Sequence, residues 1–230
     1  DGQLLLKLHK LVVLPVHQPL RGERIVAEPL WQHSPAIAAA NALTTLTILG
    51  EDTASLAEHF SADTTLIQVN FAQSYRKLHR NQFCLRPDAW DDYDSLCASL
   101  HANEDSDAAN FVVLQHGHSA DSLRIVTGLC RALLKTPAPH FRRVVFVYKT
   151  PENEDPYLQM IAGLLRAVRE INPALTGTML GVDALDGSNL SGYITAELSA
   201  TAKEVRYLDG VRSIRAWREL SELAKNSGPH

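Results

Sequence analysis

The residues with most chemical potential sit in one short loop, Gln115-His-Gly-His-Ser119, between an apolar run and an amphipathic one. A strand-to-helix turn is where a parallel α/β protein holds phosphate, but close approach of a pyrophosphate needs paired glycines, as in G-x-G-x-x-G. This loop offers one glycine between two imidazoles. The loops after Val147 and Val182 carry Glu152 and Asp183, which repel phosphate, and no G-x-x-x-x-G-K-[ST] segment occurs. The pattern predicts no cofactor site in this chain. Nor does it supply a proton donor of the tyrosine–lysine kind, in which a lysine four residues on lowers the phenol pKa. None of the six tyrosines has one; Tyr75 with His79 comes nearest, in a polar segment that reads as surface. His116 and His118 could face one side of an extended segment, but no Cys/His partner completes a metal site, and no G-x-S-x-G elbow is present.

The elements that must position this loop follow from periodicity. Leu43–Leu49, Thr64–Val69, Gln82–Leu85, Phe111–Leu114, Val144–Val147 and Thr178–Val182 read as strands. Between them lie helical stripes. Leu56 and Phe60 follow a possible cap at Asp52. Tyr93, Leu96, Cys97 and Leu100 follow Asp88, and Leu123, Val126, Cys130 and Leu133 follow Ser119 or Asp121 and stop at Pro137. Asp155-Pro156 opens the clearest helix, with Leu158, Ile161, Ala162, Leu165 and Val168 on one face and Pro173 closing it. Ser188 opens a weaker one with Leu190, Ile194 and Leu198. Glu204–Tyr207, a turn at Asp209-Gly210 and Val211–Arg215 read as a hairpin. Gln73–Asn81 reads as a polar excursion, and the proline-punctuated segment up to Pro35 as a connecting arm. Strand–helix repetition of this kind predicts an α/β fold: a Rossmann-like parallel sheet with helices on both faces and a C-terminal β-hairpin.

The 230 residues are 45% hydrophobic and 21% charged, enough for a real core and against disorder. A net charge of −4 without a Lys/Arg run argues against nucleic acid as a partner. No apolar run reaches membrane-spanning length. Cys84, Cys97 and Cys130 lack C-x-x-C spacing and predict reduced thiols in a cytoplasmic chain. A first residue of Asp1 in place of methionine hints at a piece of something longer.

Two resemblances bear on function. Asp121-Ser-Leu123 resembles the phosphopantetheine attachment segment of acyl carrier proteins, which would put an arm on Ser122. Here it follows a strand, and Asp94-Ser-Leu96 repeats the tripeptide, so a polar first helical turn is the plainer reading. The broader resemblance runs from Ile25 to Trp217. Glu28-Pro-Leu-Trp31 resembles the entry strand of the structural subdomain of modular polyketide synthase ketoreductases. Phe83–Leu100, with Arg86-Pro87 and Asp92-Tyr93, is similar to the stretch before the central helix in trans-acyltransferase synthases. Val144–Val147, Gly163-Leu-Leu-Arg166, and Glu170 with Pro173 resemble the family's strand, helix and exit, with one residue more than usual between the last two. Glu204-Val-Arg-Tyr-Leu-Asp-Gly-Val-Arg212 resembles its closing hairpin.

The resemblance implies residues 1–24 as a linker or the end of an upstream synthase domain, 25–217 as the structural subdomain, and 218–230 as a linker toward a catalytic subdomain. It implies a truncated Rossmann-like fold that has lost its nucleotide site and serves as a non-catalytic brace for a ketoreductase catalytic subdomain that uses NADPH to reduce β-ketoacyl thioesters on an acyl carrier protein, with neighbouring synthase domains as further partners. A split or vestigial pseudo-ketoreductase fits the same motifs. Trp31 and Tyr207 are the residues expected at the interface. The alternative is an independent NAD(P)-dependent oxidoreductase with an atypical nucleotide loop at Gln115–Ser119.

Overall fold

The computed structural model describes residues 27–35, 45–51, 53–102, 110–136, 142–151, 155–185 and 189–219. Ten strands and five helices follow in the order β1 (Ala27–His33), β2 (Thr45–Gly50), α1 (Thr53–Ala57), β3 (Thr65–Phe71), β4 (Arg76–His79), β5 (Gln82–Leu85), α2 (Trp90–His101), β6 (Asn110–Leu114), α3 (Ser119–Lys135), β7 (Arg142–Lys149), α4 (Pro156–Ile171), β8 (Leu175–Val182), α5 (Leu190–Ser199), β9 (Glu204–Leu208) and β10 (Val211–Glu219). They make one sheet of order β1-β10-β9-β8-β7-β6-β2-β3-β5-β4. From β9 across to β5 every pairing is parallel, while β10 and β4 run antiparallel to β9 and β5. Residues Trp31–Ala216 form one compact unit. Of the other, Asp1–Leu30 with Trp217–His230, only the start of β1 and the end of β10 are described.

Parallel pairing demands that both sheet faces be covered, and the helices divide accordingly. On one face α2, α3 and α4 bury Leu96, Leu129 and Leu165 against Val69, Phe111 and Phe146. On the other, Leu56 of α1 and Ile194 of α5 pack with Ile48, Val145, Leu180 and Val205. Each strand alternates between these two cores, which is why the central strands read as unbroken apolar runs. The predicted stripes of α2 and α4 are buried in full, as are Leu190, Ile194 and Leu198 of α5. Asp155 caps α4, its carboxylate accepting the Tyr157 amide at 2.8 Å. The hairpin turn has positive φ at both Asp209 (50°) and Gly210 (77°), the type I′ geometry that matches strand twist.

Several expectations are corrected. The arm up to Pro35 contains β1, which lies beside β10 in the sheet. The polar excursion contains β4, an edge strand whose four residues are all exposed and whose register shifts between Lys77 and His79. Such an edge resists further pairing and carries no apolar signal. Helix α1 is only five residues long, and Phe60 lies beyond it, half-buried. The N-caps of α2 and α3 are Ala89 and His118, neither with a side-chain cap bond, not Asp88 and Ser119 or Asp121. Asp52, Pro137 and Ser188, the linker at 1–24 and residues 220–230 of the linker at 218–230 lie outside the described residues, while Arg218 and Glu219 belong to β10.

Candidate functional site

In an open parallel sheet, ligands bind beyond the carboxyl ends of the strands, where the strand order reverses. Here that point lies between β2 and β6: β3 and β5 continue to one side of β2, and β6 through β9 to the other. There the strand ends are closely packed: a Cβ on Gly50 of β2 would lie 3.0–3.3 Å from the Leu114 side chain of β6, and Leu114 belongs to the core on the α1 and α5 face. Just beyond β6, the His116 ring is 4.9 Å from that of Phe71, and its Nδ1 lies 3.0 Å from Glu51 Oε1 without hydrogen-bond alignment. Thr53 Oγ1 donates to Asn70 Oδ1 at 2.9 Å, tying α1 to β3.

The loop singled out by sequence lies next door. Gly117 takes a φ of 51°, and the loop lines a cavity of about 600 Å³ with Ser119, Asp121, Asp155 and Tyr157. Two helix starts face this cavity, yet each brings a carboxylate, which offsets the positive end of the dipole. Ser122 is fully buried; its hydroxyl accepts from the His116 amide at 3.1 Å and lies 3.2 Å from the His116 carbonyl, to which it donates. It staples the loop to α3 and is closed to an attached arm. Tyr75 Oη lies 3.2 Å from Ser99 Oγ, not against His79, which stays exposed on β4. No cluster of three His, Cys, Asp or Glu able to hold a metal ion occurs among the described residues. Burial raises Cys97 and Cys130 to about 12, so both are protonated packing thiols.

Polar organisation is richest at the hairpin. Glu197 of α5, fully buried, accepts from Arg212 Nε (2.6 Å) and Nη2 (3.0 Å) and from the Tyr207 hydroxyl (2.8 Å). Arg212 in turn donates to Ser34 Oγ at 2.7 Å, and its carbonyl accepts the Ser34 amide, which holds the end of β1 to β10. Tyr207 stacks on Tyr193 at 3.9 Å. Burial first, and then its bond to Glu197, raises the Tyr207 phenol beyond any physiological titration. On the opposite sheet face Glu204 binds Arg166 of α4 and Arg215 of β10, and the Arg206 guanidinium stacks 4.4 Å from the Trp31 ring. Of the two expected interface residues, Trp31 is half-buried and partly open, whereas Tyr207 is 3% exposed and spent inside the chain. Glu197 and Arg212 escaped the sequence reading although a signal exists: Glu197 falls on the apolar stripe of α5, and Arg212 falls in β10 at the inward register of Ile214.

A family model described as "Beta-ketoacyl synthase-like, N-terminal" matches residues 45–197. A search of curated proteins finds no match. Among solved structures the fold is similar to the "Adenylation, ketoreductase, and pseudo Asub multidomain structure of a keto acid-selecting NRPS module" (17% identity over 88% of this chain and 19% of that one, TM-score 0.70). It is also similar to an N-terminal ketoreductase from the macrolactin assembly line (13% identity, 85% and 44% coverage, TM-score 0.61). An A-type ketoreductase from a modular polyketide synthase has the same likeness (13%, 84% and 42%, TM-score 0.55). These likenesses establish a Rossmann-like fold shared with ketoreductases. The chain spans less than half the length of each of these relatives. Among the described residues no helix is long and apolar enough to cross a membrane.

Proposed function

The chain belongs to the beta-ketoacyl synthase-like, N-terminal family, and from that membership we propose that it is a structural subdomain that braces a ketoreductase catalytic domain. In this reading residues 25–217 are the subdomain, with residues 1–24 and 218–230 linking it to neighbouring synthase domains. Its partner would use NADPH to reduce a β-ketoacyl thioester presented by an acyl carrier protein. The observation that carries the reading is the close packing at the switch point: Leu114 packs on Gly50 and the His116 ring lies against Phe71, where a dinucleotide-binding protein of this architecture would need room. The hairpin end, where β1, β10 and α5 are bonded together, gives the rigid edge a brace requires.

The test is a titration of the chain with NADPH, followed by fluorescence, beside thermal unfolding of the ketoreductase catalytic domain with and without the chain. No NADPH affinity together with a higher unfolding midpoint for the catalytic domain is expected. NADPH affinity in the chain alone overturns the reading.

A second reading, an independent oxidoreductase using the loop Gln115–Ser119, is favoured by the cavity of about 600 Å³ at that loop. Asp121 and Asp155 in its wall weigh against a pyrophosphate. Gly117→Val abolishes cofactor affinity if this reading is right.

A further inference from the structure

Arg206 is the one described cation of the β9–β10 face with no acid partner. Its neighbours in that face are matched: Glu204 holds both Arg166 and Arg215, and Arg215 also donates to Gln159 at 3.0 Å. Arg206 instead places its guanidinium carbon 4.4 Å from the centre of the Trp31 ring, with Nε buried and bonded to nothing. Burial holds its guanidinium below the usual arginine range. A half-buried guanidinium without a counter-charge is an expensive arrangement in a finished surface, and stacking on an indole returns only part of the lost hydration.

The surroundings show which way the open side faces. In the register of β9 and β10, Leu208 opposes Val211 and Arg206 opposes Ser213. These four share the sheet face on which Glu204 meets α4, the face opposite α5. Val211 is 47% exposed. Ser213 brings no charge, and beside Gly181, the β8 neighbour of Arg206, lie the Tyr148 phenol and Thr150, both uncharged. The result is a small, largely apolar floor of Leu208, Val211, Trp31 and the Tyr148 ring around a positive charge with no acid partner among the described residues. Charge-depleted apolar ground with a single arginine–aromatic anchor has the make-up of an interface hot spot.

We propose that this patch is the docking surface for the catalytic partner, and that the partner supplies an aspartate or glutamate carboxylate to Arg206 beside an apolar residue that covers Val211 and Leu208. The inference rests on the bracing role above and adds where the brace touches and which charge it recognises. Arg206 and Trp31 then act as a preformed anchor. The ring contact holds the guanidinium in place, and a guanidinium can offer two N–H groups as a forked pair to one carboxylate.

The experiment measures binding of the full chain to the separately purified ketoreductase catalytic domain of the same synthase. Arg206→Glu is expected to weaken binding at least about thirtyfold and Arg206→Gln less, since truncating a buried charge pair at an interface has effects of this size. Arg124→Glu, on the outer surface of α3, leaves affinity unchanged. An Asp or Glu→Arg change on the partner that restores binding to the Arg206→Glu chain identifies the recognised carboxylate. Unfolding midpoints of the variants separate lost docking from lost folding. If the native chain binds and Arg206→Glu binds equally well, the docking site is wrong and the bracing role stands. If the native chain does not bind the catalytic domain at all, the bracing role itself falls and takes the docking site with it. Concentration-dependent self-association abolished by Arg206→Glu also overturns the proposal, because the patch would then join two copies of this chain.

Discussion

Asp92 and Glu197 are both carboxylates on the inward stripe of a helix, 3% and 0% exposed, and each is paired with an arginine. The two pairs are built for different surroundings. Asp92 sits in the first turn of α2, where the dipole favours a negative charge. It accepts from Arg86 through the backbone amide (2.9 Å), Nε (3.0 Å) and Nη2 (2.7 Å), while 47% of the Arg86 side chain remains in water. Glu197 lies late in α5 without that help, and its arginine is sealed at 3% exposure. The open pair joins a loop to a helix near one edge of the sheet and leaves its cation hydrated. The closed pair joins α5, β9, β10 and the end of β1, and every charge in it depends on the others. A sealed pair of this kind contributes specificity of packing more than net stability.

That contrast can be broken by substitution. Glu197→Ala leaves Arg212 buried without a counter-charge and is expected to cost about 3–5 kcal/mol in denaturant unfolding; a loss below about 1 kcal/mol would mean that the arginine finds water and the cluster is not sealed. Replacing both partners, Glu197→Leu with Arg212→Met, should be less destabilising than Glu197→Ala alone, because no orphan charge remains. A double variant worse than the single one would show that the pair does more than cancel its own burial. At the switch point, Leu114→Ala removes a side chain that is 8% exposed and packed over Gly50, with an expected loss of about 2–4 kcal/mol; an unchanged midpoint would mark Leu114 as loosely held and the crevice as open. Tyr207→Phe deletes one neutral donor to Glu197 while keeping the stack on Tyr193, and about 1 kcal/mol is expected.

The smallest effect is the pH dependence of the open pair. Arg86, by hydrogen bonding, holds the Asp92 carboxyl below the usual carboxylate range. The folded chain therefore takes up this proton at lower pH than the unfolded chain does. The contribution of the pair is whole above about pH 4 and is lost as pH falls through the folded value. Asp92→Asn should flatten the decline in stability between about pH 5 and about pH 2; parallel declines in the two chains would remove Asp92 from the acid limb.

The parts of the fold that were legible in the sequence are those where burial leaves a period. The stripes of α2, α4 and α5, the central strands and the Asp209-Gly210 turn are written in apolar spacing and turn chemistry, and they formed as read. What was illegible has other causes. Strand β4 is wholly exposed, so nothing in its composition separates it from a loop. The helix caps turned on backbone geometry, since Ser119 begins α3 without capping it and Ser122 turns back to bond the loop. Tyr207 looked like a surface aromatic of the hairpin because its acceptor, Glu197, is ten residues away on another element. The buried acids could have been noticed: Asp92 and Glu197 each interrupt an apolar stripe, which is where a carboxylate with a committed partner belongs.

The side-by-side position of β1 and β10 in the sheet has a consequence for larger architectures. The first and last described strands meet at one margin, so the seven parallel strands from β5 to β9 all lie on one side of a single seam. A block with such a seam can be carried into a longer polypeptide, or exchanged between two of them, without rethreading any inner strand.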